Sequence, residues 1–179
     1  MREALRQLES EGLIEVLANV GPVVATVSAK NAKDIYQVRG QLEGLAGRLC
    51  ADHGTDAQIA KLEAIVAQYA ASEPRDSEEQ LRLKGMFYDV LLAAADNDEI
   101  TRMLTSLRAR VTALRKTTLA HPGRFQATVL ELQEIVAAIK ARDPERTDKA
   151  CHAHVEAAFE TALLAFENDD DTQPGHLRT

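Results

Sequence analysis

The stretch that decides the fold is MREALRQLESEGLI, residues 1–14 of the chain. Apolar residues recur in it at helical spacing, and Gly12 is placed to end the helix. Two short apolar runs follow at residues 14–17 and 23–27, on either side of the turn residues 19–22. The pattern predicts one amphipathic helix followed by a β-hairpin.

A helix and a hairpin of about 27 residues bury too little apolar surface to fold alone. On its residues alone, this segment is an amphipathic helix and hairpin docked on a larger body. Residues 1–30 carry two arginines and one lysine against four glutamates, a local charge of −1. The segment therefore lacks the basic footprint that is typical of a DNA-binding surface.

Residues 2–15, REALRQLESEGLIE, resemble the last part of the DNA-binding domain of GntR-family bacterial regulators. The similarity continues in the Asn-Val-Gly turn and in the alternating run 23–27, where these regulators carry their wing. Residues 34–43, DIYQVRGQLE, resemble the start of the FadR-subfamily effector domain, and the similarity extends to about Leu164. It implies a partial winged helix-turn-helix followed by an all-helical bundle that binds a small molecule and dimerises.

The family's DNA-binding domain has further helices before this point. We therefore expect the chain to begin inside that domain, because of a misassigned start codon or a true truncation. In this form it is expected to bind DNA weakly and without sequence preference, since both phosphate and base contacts are missing.

The resemblance also implies which residues face DNA. The arginine of the family's V-R-E-A-L motif reaches the operator, which gives this role to Arg2, with Arg6 next. Asn19 and Gly21 would lie in the wing, near the minor groove. Val20 stands where arginine is common, so one charged wing contact is missing.

Composition fits a folded domain away from membranes. At 179 residues, 45% hydrophobic and 27% charged, the chain can bury one ordinary core. Its net charge of −7 gives the bulk of the molecule no electrostatic reason to bind nucleic acid or an anionic membrane. Without a secretion signal or an apolar run of about 18 residues, we expect a cytoplasmic protein and no membrane partner. Cys50 and Cys151 are expected to be reduced, buried and inert, with a disulfide or redox role as the alternative.

The predicted class is mainly α, a bundle of about six helices after the partial winged helix-turn-helix. The expected units are 1–27, the partial DNA-binding domain; 28–166, the effector-binding and dimerisation domain; and 167–179, a disordered acidic tail. The first predicted helix starts at Ser28 or Asn31 and ends near His53-Gly54, and the second starts at Thr55. The third starts with a capping box of Ser77 and Gln80, and Asp96-Asn97-Asp98 separates it from the fourth. Pro122 lies in the first turn of the fifth, and the sixth runs from Asp143-Pro144 to about Phe166.

No catalytic motif is present in the sequence. The chain has no phosphate-binding or dinucleotide-binding glycine motif, no H-E-x-x-H and no G-x-S-x-G. It also lacks the Glu-x-x-His pairs from which helix bundles build catalytic metal sites. The sequence therefore predicts a protein that is not an enzyme and has no cofactor.

Many relatives of this effector domain bind a divalent metal through D-x-x-x-H and two further histidines. Alignment to that pattern places Lys84 at the aspartate, and Tyr88 and Leu132 at two of the histidine positions. Only His154 stands where a ligand is expected, and one imidazole cannot hold a transition metal. We therefore expect no metal site. The alternative is a rearranged site that uses His121, His152 or Asp89.

Lys84 and Tyr88 lie four residues apart on one helix face and are expected to lean towards the bundle interior. With His154 and Arg39 they form the expected effector site, where the Lys84 ammonium anchors a carboxylate or phosphate. The alternatives are a snorkelling Lys84, a His154 packed in the core, and an Arg39 paired with Glu43. Arg108 and Arg115 are expected on a solvated helix flank, and the alternative is a contact with the anionic effector.

The predicted function is a homodimeric transcription regulator whose DNA binding is controlled by a small, acidic effector. The competing class is a ligand-binding and dimerisation module without DNA-binding activity.

Overall fold

The computed structural model describes residues 2–10, 12–111 and 123–170. Within those ranges the chain forms seven helices and one two-stranded sheet, which confirms the predicted class. The elements are α1 (Arg2–Ser10), β1 (Ile14–Leu17), β2 (Gly21–Val24), α2 (Ala29–His53), α3 (Asp56–Ala71), α4 (Ser77–Ala95), α5 (Asp98–Arg110), α6 (Arg124–Lys140) and α7 (Pro144–Asp170).

The helix and hairpin predicted at the start of the chain form what we call the N-terminal unit, residues 2–27. Gly12 has φ 69°, a backbone conformation that favours glycine, and the N–H of Leu13 donates to the carbonyl of Leu8, which closes α1. β1 and β2 pair antiparallel, and positive φ occurs at Asn19 in the turn and at Gly21, the first residue of β2.

The helical bundle is built around α2, which packs against α4, α5, α6 and most extensively against α7. Two glycines allow the close approach of α2 and α7. A Cβ at Gly44 would collide with Asp148 and His152, and one at Gly47 would lie 2.7 Å from Sγ of Cys151. The main core lies beneath this contact, between α3, α4 and α6. It contains Ile59, Leu62, Ile65, Val66, Leu83, Phe87, Leu91, Leu132, Ile135, Val136 and Ile139.

The helix starts agree with the sequence prediction at α2 and differ at α4. The side chain of Ser28 caps α2 by accepting from the N–H of Asn31. At α4 the cap is Asp76, which accepts from the N–H of Glu79, so the predicted capping box of Ser77 and Gln80 is wrong.

The sequence around α4 explains why Asp76 and not Ser77 caps this helix. Asp76 stands one residue earlier with an equally good capping side chain, so Ser77 becomes the first helical residue. Gln80 is buried, and its amide donates to the carbonyl of Glu73 instead of reaching back to the cap. The predicted Thr55 start is confirmed, with a capping box between Thr55 and Gln58.

The start of α6 and the end of α7 bear on two further predicted helix boundaries. α6 follows Gly123, which has φ 80°, and the predicted signal at Pro122 lies outside the described residues. α7 runs to Asp170, beyond the predicted end near Phe166, so residues 167–170 of the predicted tail are helical. The rest of that tail lies outside the described residues. None of the helices within the described ranges is long and apolar enough to cross a membrane.

Candidate functional site

The four residues predicted to bind an effector lie together between α2, α4, α6 and α7. Hydrogen bonds join them to one another and to two glutamates, and a second arginine completes the group. We call this group the polar cluster. It consists of Arg39, Glu43, Lys84, Tyr88, Arg124, Glu131 and His154.

His154 on α7 is the centre of the polar cluster, and its side chain is 1% exposed. Its Nδ1 lies 2.5 Å from Oε2 of Glu131, and its Nε2 lies 3.4 Å from Nζ of Lys84. Burial, together with the Lys84 cation, lowers the pKa of His154 from 6.5 to about 4. At neutral pH the imidazole is therefore neutral. From its partners, Nδ1 carries the proton and donates to Glu131, while Nε2 accepts from Lys84.

Glu131 on α6 fixes His154 from one side. Its other partner is Arg124, two turns earlier on the same helix, whose two terminal nitrogens donate to the two carboxylate oxygens. Burial alone would raise the pKa of Glu131, but the hydrogen bonds from His154 and Arg124 outweigh it and lower the pKa to about 2. Glu131 thus stays ionised and sets the orientation of the imidazole.

Arg39 and Glu43 form a buried ion pair on α2, each 2% exposed. Nε and one terminal nitrogen of Arg39 donate to Oε1 of Glu43, and the hydroxyl of Tyr88 donates to Oε2 at 2.7 Å. Burial would raise the pKa of Glu43, yet Arg39 and the other donors lower it. The structure thus contains the Arg39–Glu43 ion pair that was the alternative to an effector contact at Arg39.

Tyr88 is held from a second direction by α5. The guanidinium of Arg108 lies 4.1 Å from the centre of the Tyr88 ring, within the range of a cation–π interaction. The expectation that Arg108 lies on a solvated flank is therefore wrong, because the end of α5 packs over α4. Arg115 lies outside the described residues.

The polar cluster does not fit a divalent metal. In the described part of the chain, no group of three His, Cys, Asp or Glu side chains is placed to hold one. Lys84 and Leu132 occupy two of the positions at which relatives carry metal ligands. The ammonium of Lys84 lies beside Nε2 of His154, and Leu132 is part of the apolar core. Nδ1 of His152 lies 3.0 Å from the carbonyl of Asp148, Asp89 is exposed, and His121 lies outside the described residues.

The residues predicted to contact DNA lie in the N-terminal unit, apart from the polar cluster. Arg2 and Arg6 are one turn apart on α1, and the side chain of Arg6 is exposed. Asn19 lies in the turn of the hairpin, and Gly21 is the first residue of β2, paired with Leu17. α5 touches this unit as well, because a Cβ at Gly12 would lie 3.1 Å from Nε of Arg110.

Sequence reasoning missed the roles of Arg124 and Glu131. Their spacing of seven residues places them on one face of α6, which was a usable signal. The contact of Glu131 with His154 joins two different helices, and no pattern within either helix indicates it.

Comparison with known proteins agrees with this architecture. Residues 34–157 match the FCD domain. The Nta operon transcriptional regulator of Aminobacter aminovorans is 31% identical over 111 residues, which cover 62% of this chain and 53% of that protein. A probable D-xylose utilization operon transcriptional repressor of Paenarthrobacter nicotinovorans is 28% identical over 157 residues, covering 88% and 69%. The chain thus spans about half the length of the first of these relatives.

Solved structures show the same fold. E. coli McbR/YncC superposes with a TM-score of 0.78 at 19% identity, covering 94% of this chain and 84% of that one. A GntR family member from Pseudomonas syringae superposes with a TM-score of 0.65 at 22% identity, covering 95% and 71%. The FCD domain covers most of this chain, and the relatives named above are transcriptional regulators. The chain therefore belongs to the GntR family of transcriptional regulators, in the group that carries the FCD domain.

Proposed function

We propose that this protein is a DNA-binding transcription regulator controlled by a small organic acid, which binds in the helical domain at the ammonium of Lys84. One observation carries the proposal: Lys84 donates to a buried, neutral imidazole that is itself fixed by the Glu131 and Arg124 pair.

The charges of the polar cluster support an anionic effector. Because His154 is neutral, its bond with Lys84 does not cancel the charge of the ammonium. An ammonium has three protons to donate, and a carboxylate is a matching acceptor. A hydrogen bond to a charged group of this kind is worth about 1.5 to 3 kcal/mol. His154 orients the ammonium of Lys84, and Tyr88 lies one turn away on the same helix. Arg39 is a further cation of the proposed site, with its charge matched by Glu43.

A thermal-shift screen of the 179-residue chain against small carboxylic acids tests the effector part of the proposal. An acid at about 100 times its dissociation constant should stabilise the folded chain by about 2.7 kcal/mol. Lys84→Met should lose this stabilisation, whereas Lys140→Met, which removes an exposed lysine paired with Glu63, should keep it. Equal stabilisation of the Lys84→Met protein would refute the proposed site.

We further propose that the N-terminal unit contacts DNA through Arg2, Arg6, Asn19 and Gly21, and that the acid alters this contact. The exposed side chain of Arg6 on α1 and the positive φ at Asn19 and Gly21 support a helix-and-wing reader. In fluorescence anisotropy with random duplexes at low salt, Arg2→Ala/Arg6→Ala should weaken binding. No binding by the unmodified chain at the lowest salt would favour the ligand-binding module without DNA-binding activity.

We propose that residues 28–166 also form a homodimer, and that the protein works in the cytoplasm. Exposed apolar side chains support self-association, since Val38 and Leu45 on α2 are 50% and 43% exposed and Met103 on α5 is 48% exposed. Sedimentation velocity should report a dimer for the unmodified chain and a monomer for Val38→Glu/Met103→Glu. A monomeric unmodified chain at micromolar concentration would contradict this part.

A further inference from the structure

The N-terminal unit makes few contacts with the helical bundle. Within the described ranges, no helix of the bundle packs extensively against α1, β1 or β2. The hairpin side chains of Val20 and Val24 are 72% and 79% exposed. At the exit of the hairpin, Val27 packs against a core cluster that includes Tyr36 and Val111. Relative motion of two units is the expectation when the interface between them is small, so the orientation of the N-terminal unit depends on the few contacts that it does make.

The last turn of α5 supplies a second contact, through Arg110. A Cβ at Gly12 would lie 3.1 Å from Nε and 3.4 Å from Cζ of Arg110. Gly12 has positive φ and no side chain, so the guanidinium can lie against the backbone that joins α1 to β1. Nε of Arg110 is buried and has no hydrogen-bond partner in the part of the chain that the structure describes. The contact therefore depends on the planar shape of the guanidinium and on the absence of a side chain at residue 12.

The turn that carries Arg110 is itself fixed to the helical bundle. The guanidinium of Arg108 lies 4.1 Å from the centre of the Tyr88 ring, in the polar cluster. Val111 ends α5, is 0% exposed and packs in the core with Ile35. One turn of helix thus touches the polar cluster, the core and the N-terminal unit. A side chain presented from a turn held in this way can fix the position of the group that it contacts.

We infer that the last turn of α5 is the joint that fixes the orientation of the N-terminal unit on the helical bundle, with Arg110 as the positioning residue at Gly12. In its consequence for DNA binding, the inference rests on the proposed function of the N-terminal unit. A unit that rotates freely is oriented for DNA in only a fraction of the molecules, and the apparent affinity falls by that fraction.

The first test is Arg110→Met, which removes the planar cation and keeps most of the stem. NMR relaxation measures the rotational correlation time of the backbone amides in the N-terminal unit and in α3. In the unmodified chain the two values should be equal. In Arg110→Met the value for the N-terminal unit should become shorter while that for α3 is unchanged. The control is Arg82→Met on α4, because Arg82 is exposed and paired with Glu79. It should change neither value.

A pair of glycine variants tests the other side of the contact. Gly12 and Gly21 have φ 69° and 98°, so alanine strains the backbone at either position. The new Cβ meets Arg110 at Gly12, whereas nothing lies within 4 Å of the Cβ position at Gly21. Gly12→Ala should therefore shorten the correlation time of the N-terminal unit, and Gly21→Ala should leave it unchanged.

Fluorescence anisotropy with random duplexes at low salt tests the consequence for DNA. Arg110→Met should bind roughly three- to tenfold more weakly than the unmodified chain, with an unchanged dependence on salt. Removal of a residue that itself contacts a phosphate would instead reduce the salt slope by about 1. Arg110→Lys keeps the charge without the planar group, so it should lose affinity as Arg110→Met does.

The outcomes separate the inference from the proposed function. If the N-terminal unit of the unmodified chain already rotates independently of α3, or if Arg110→Met leaves its correlation time unchanged, the inference is wrong and the proposed DNA contact stands. A shorter correlation time in Arg110→Met, with no DNA binding by the unmodified chain, supports the joint and refutes the DNA contact. Full affinity in Arg110→Lys, or a reduced salt slope in Arg110→Met, would show that Arg110 acts through its charge and would overturn the positioning role.

Discussion

Nζ of Lys84 lies 3.4 Å from Nε2 of His154, on the side of the imidazole away from Glu131. In metal centres a carboxylate commonly holds one nitrogen of a histidine ring while the metal takes the other. Here the carboxylate is present, and a lysine ammonium stands at the second nitrogen. The positive charge of this site is therefore supplied by a side chain.

Replacing Lys84 should change the titration of His154. The Lys84 cation is the second cause, after burial, of the lowered pKa of His154. In Lys84→Met the pKa of His154 should therefore rise, while burial still holds it below the ordinary value of 6.5. An NMR titration of the imidazole signals gives the answer, with Lys140→Met as the control. An unchanged pKa of His154 in Lys84→Met would mean that the charge of Lys84 does not lower the pKa of the imidazole.

The stability of the protein should fall as the pH drops from 6.5 towards 4. Over that range the unfolded chain binds a proton at His154 that the folded chain does not bind, because the folded pKa is about 4. The loss attributable to His154 is on the order of 3 kcal/mol. Urea unfolding at several pH values measures it.

One variant isolates this contribution. His154→Gln should flatten the dependence of the unfolding free energy on pH between 6.5 and 4. Glu131, whose folded pKa is about 2, should add a further loss below its ordinary pKa of 4.5. If the slope above pH 4.5 is the same in His154→Gln as in the unmodified chain, His154 is not the group responsible.

The buried ion pair of Arg39 and Glu43 should be strongly coupled. Arg39→Met leaves an uncompensated carboxylate in the core, which costs about 3 to 5 kcal/mol of unfolding free energy. Arg39→Met/Glu43→Gln removes both charges and keeps an acceptor for Tyr88, so it should recover most of that loss. Chemical denaturation of the single and double variants forms the cycle, and additive effects would show that the pair is not coupled.

The contact between α2 and α7 should tolerate no side chain at Gly44. A Cβ there collides with Asp148 and His152, so Gly44→Ala should destabilise the protein by about 1 to 3 kcal/mol. Gly85 on α4 is the matched control because nothing lies within 4 Å of its Cβ position. Gly85→Ala should stabilise by about 0.5 to 1 kcal/mol through helix propensity. Thermal unfolding compares the two, and equal effects would contradict the packing.

The sequence predicted the helices and one face of the site because both depend on local spacing. Apolar residues at helical intervals mark the side of each helix that faces the core, and the same geometry places Lys84 and Tyr88 together on α4. The resemblance to a known family added His154. Contacts between helices could not be read in this way, and so the bond from His154 to Glu131 and the stacking of Arg108 on Tyr88 were found only in the structure.

The start of α4 shows a second kind of limit. Asp76 and Ser77 are adjacent and both are good helix caps, so the choice depends on where neighbouring side chains find partners. The amide of the buried Gln80 donates to the carbonyl of Glu73, so Gln80 does not form the predicted capping box with Ser77. Local rules narrow such a boundary to within a residue, and tertiary contacts decide it.

We propose that an organic acid binds this domain at a lysine cation without a metal. The most direct measurement is calorimetric titration of chelator-treated protein with the best-binding acid found in the screen. We expect binding in the presence of chelator and a ten- to hundredfold weaker affinity in Lys84→Met, with the stability of the free protein hardly changed. Binding that requires added zinc or nickel, is abolished by His154→Ala and is unaffected by Lys84→Met would contradict it.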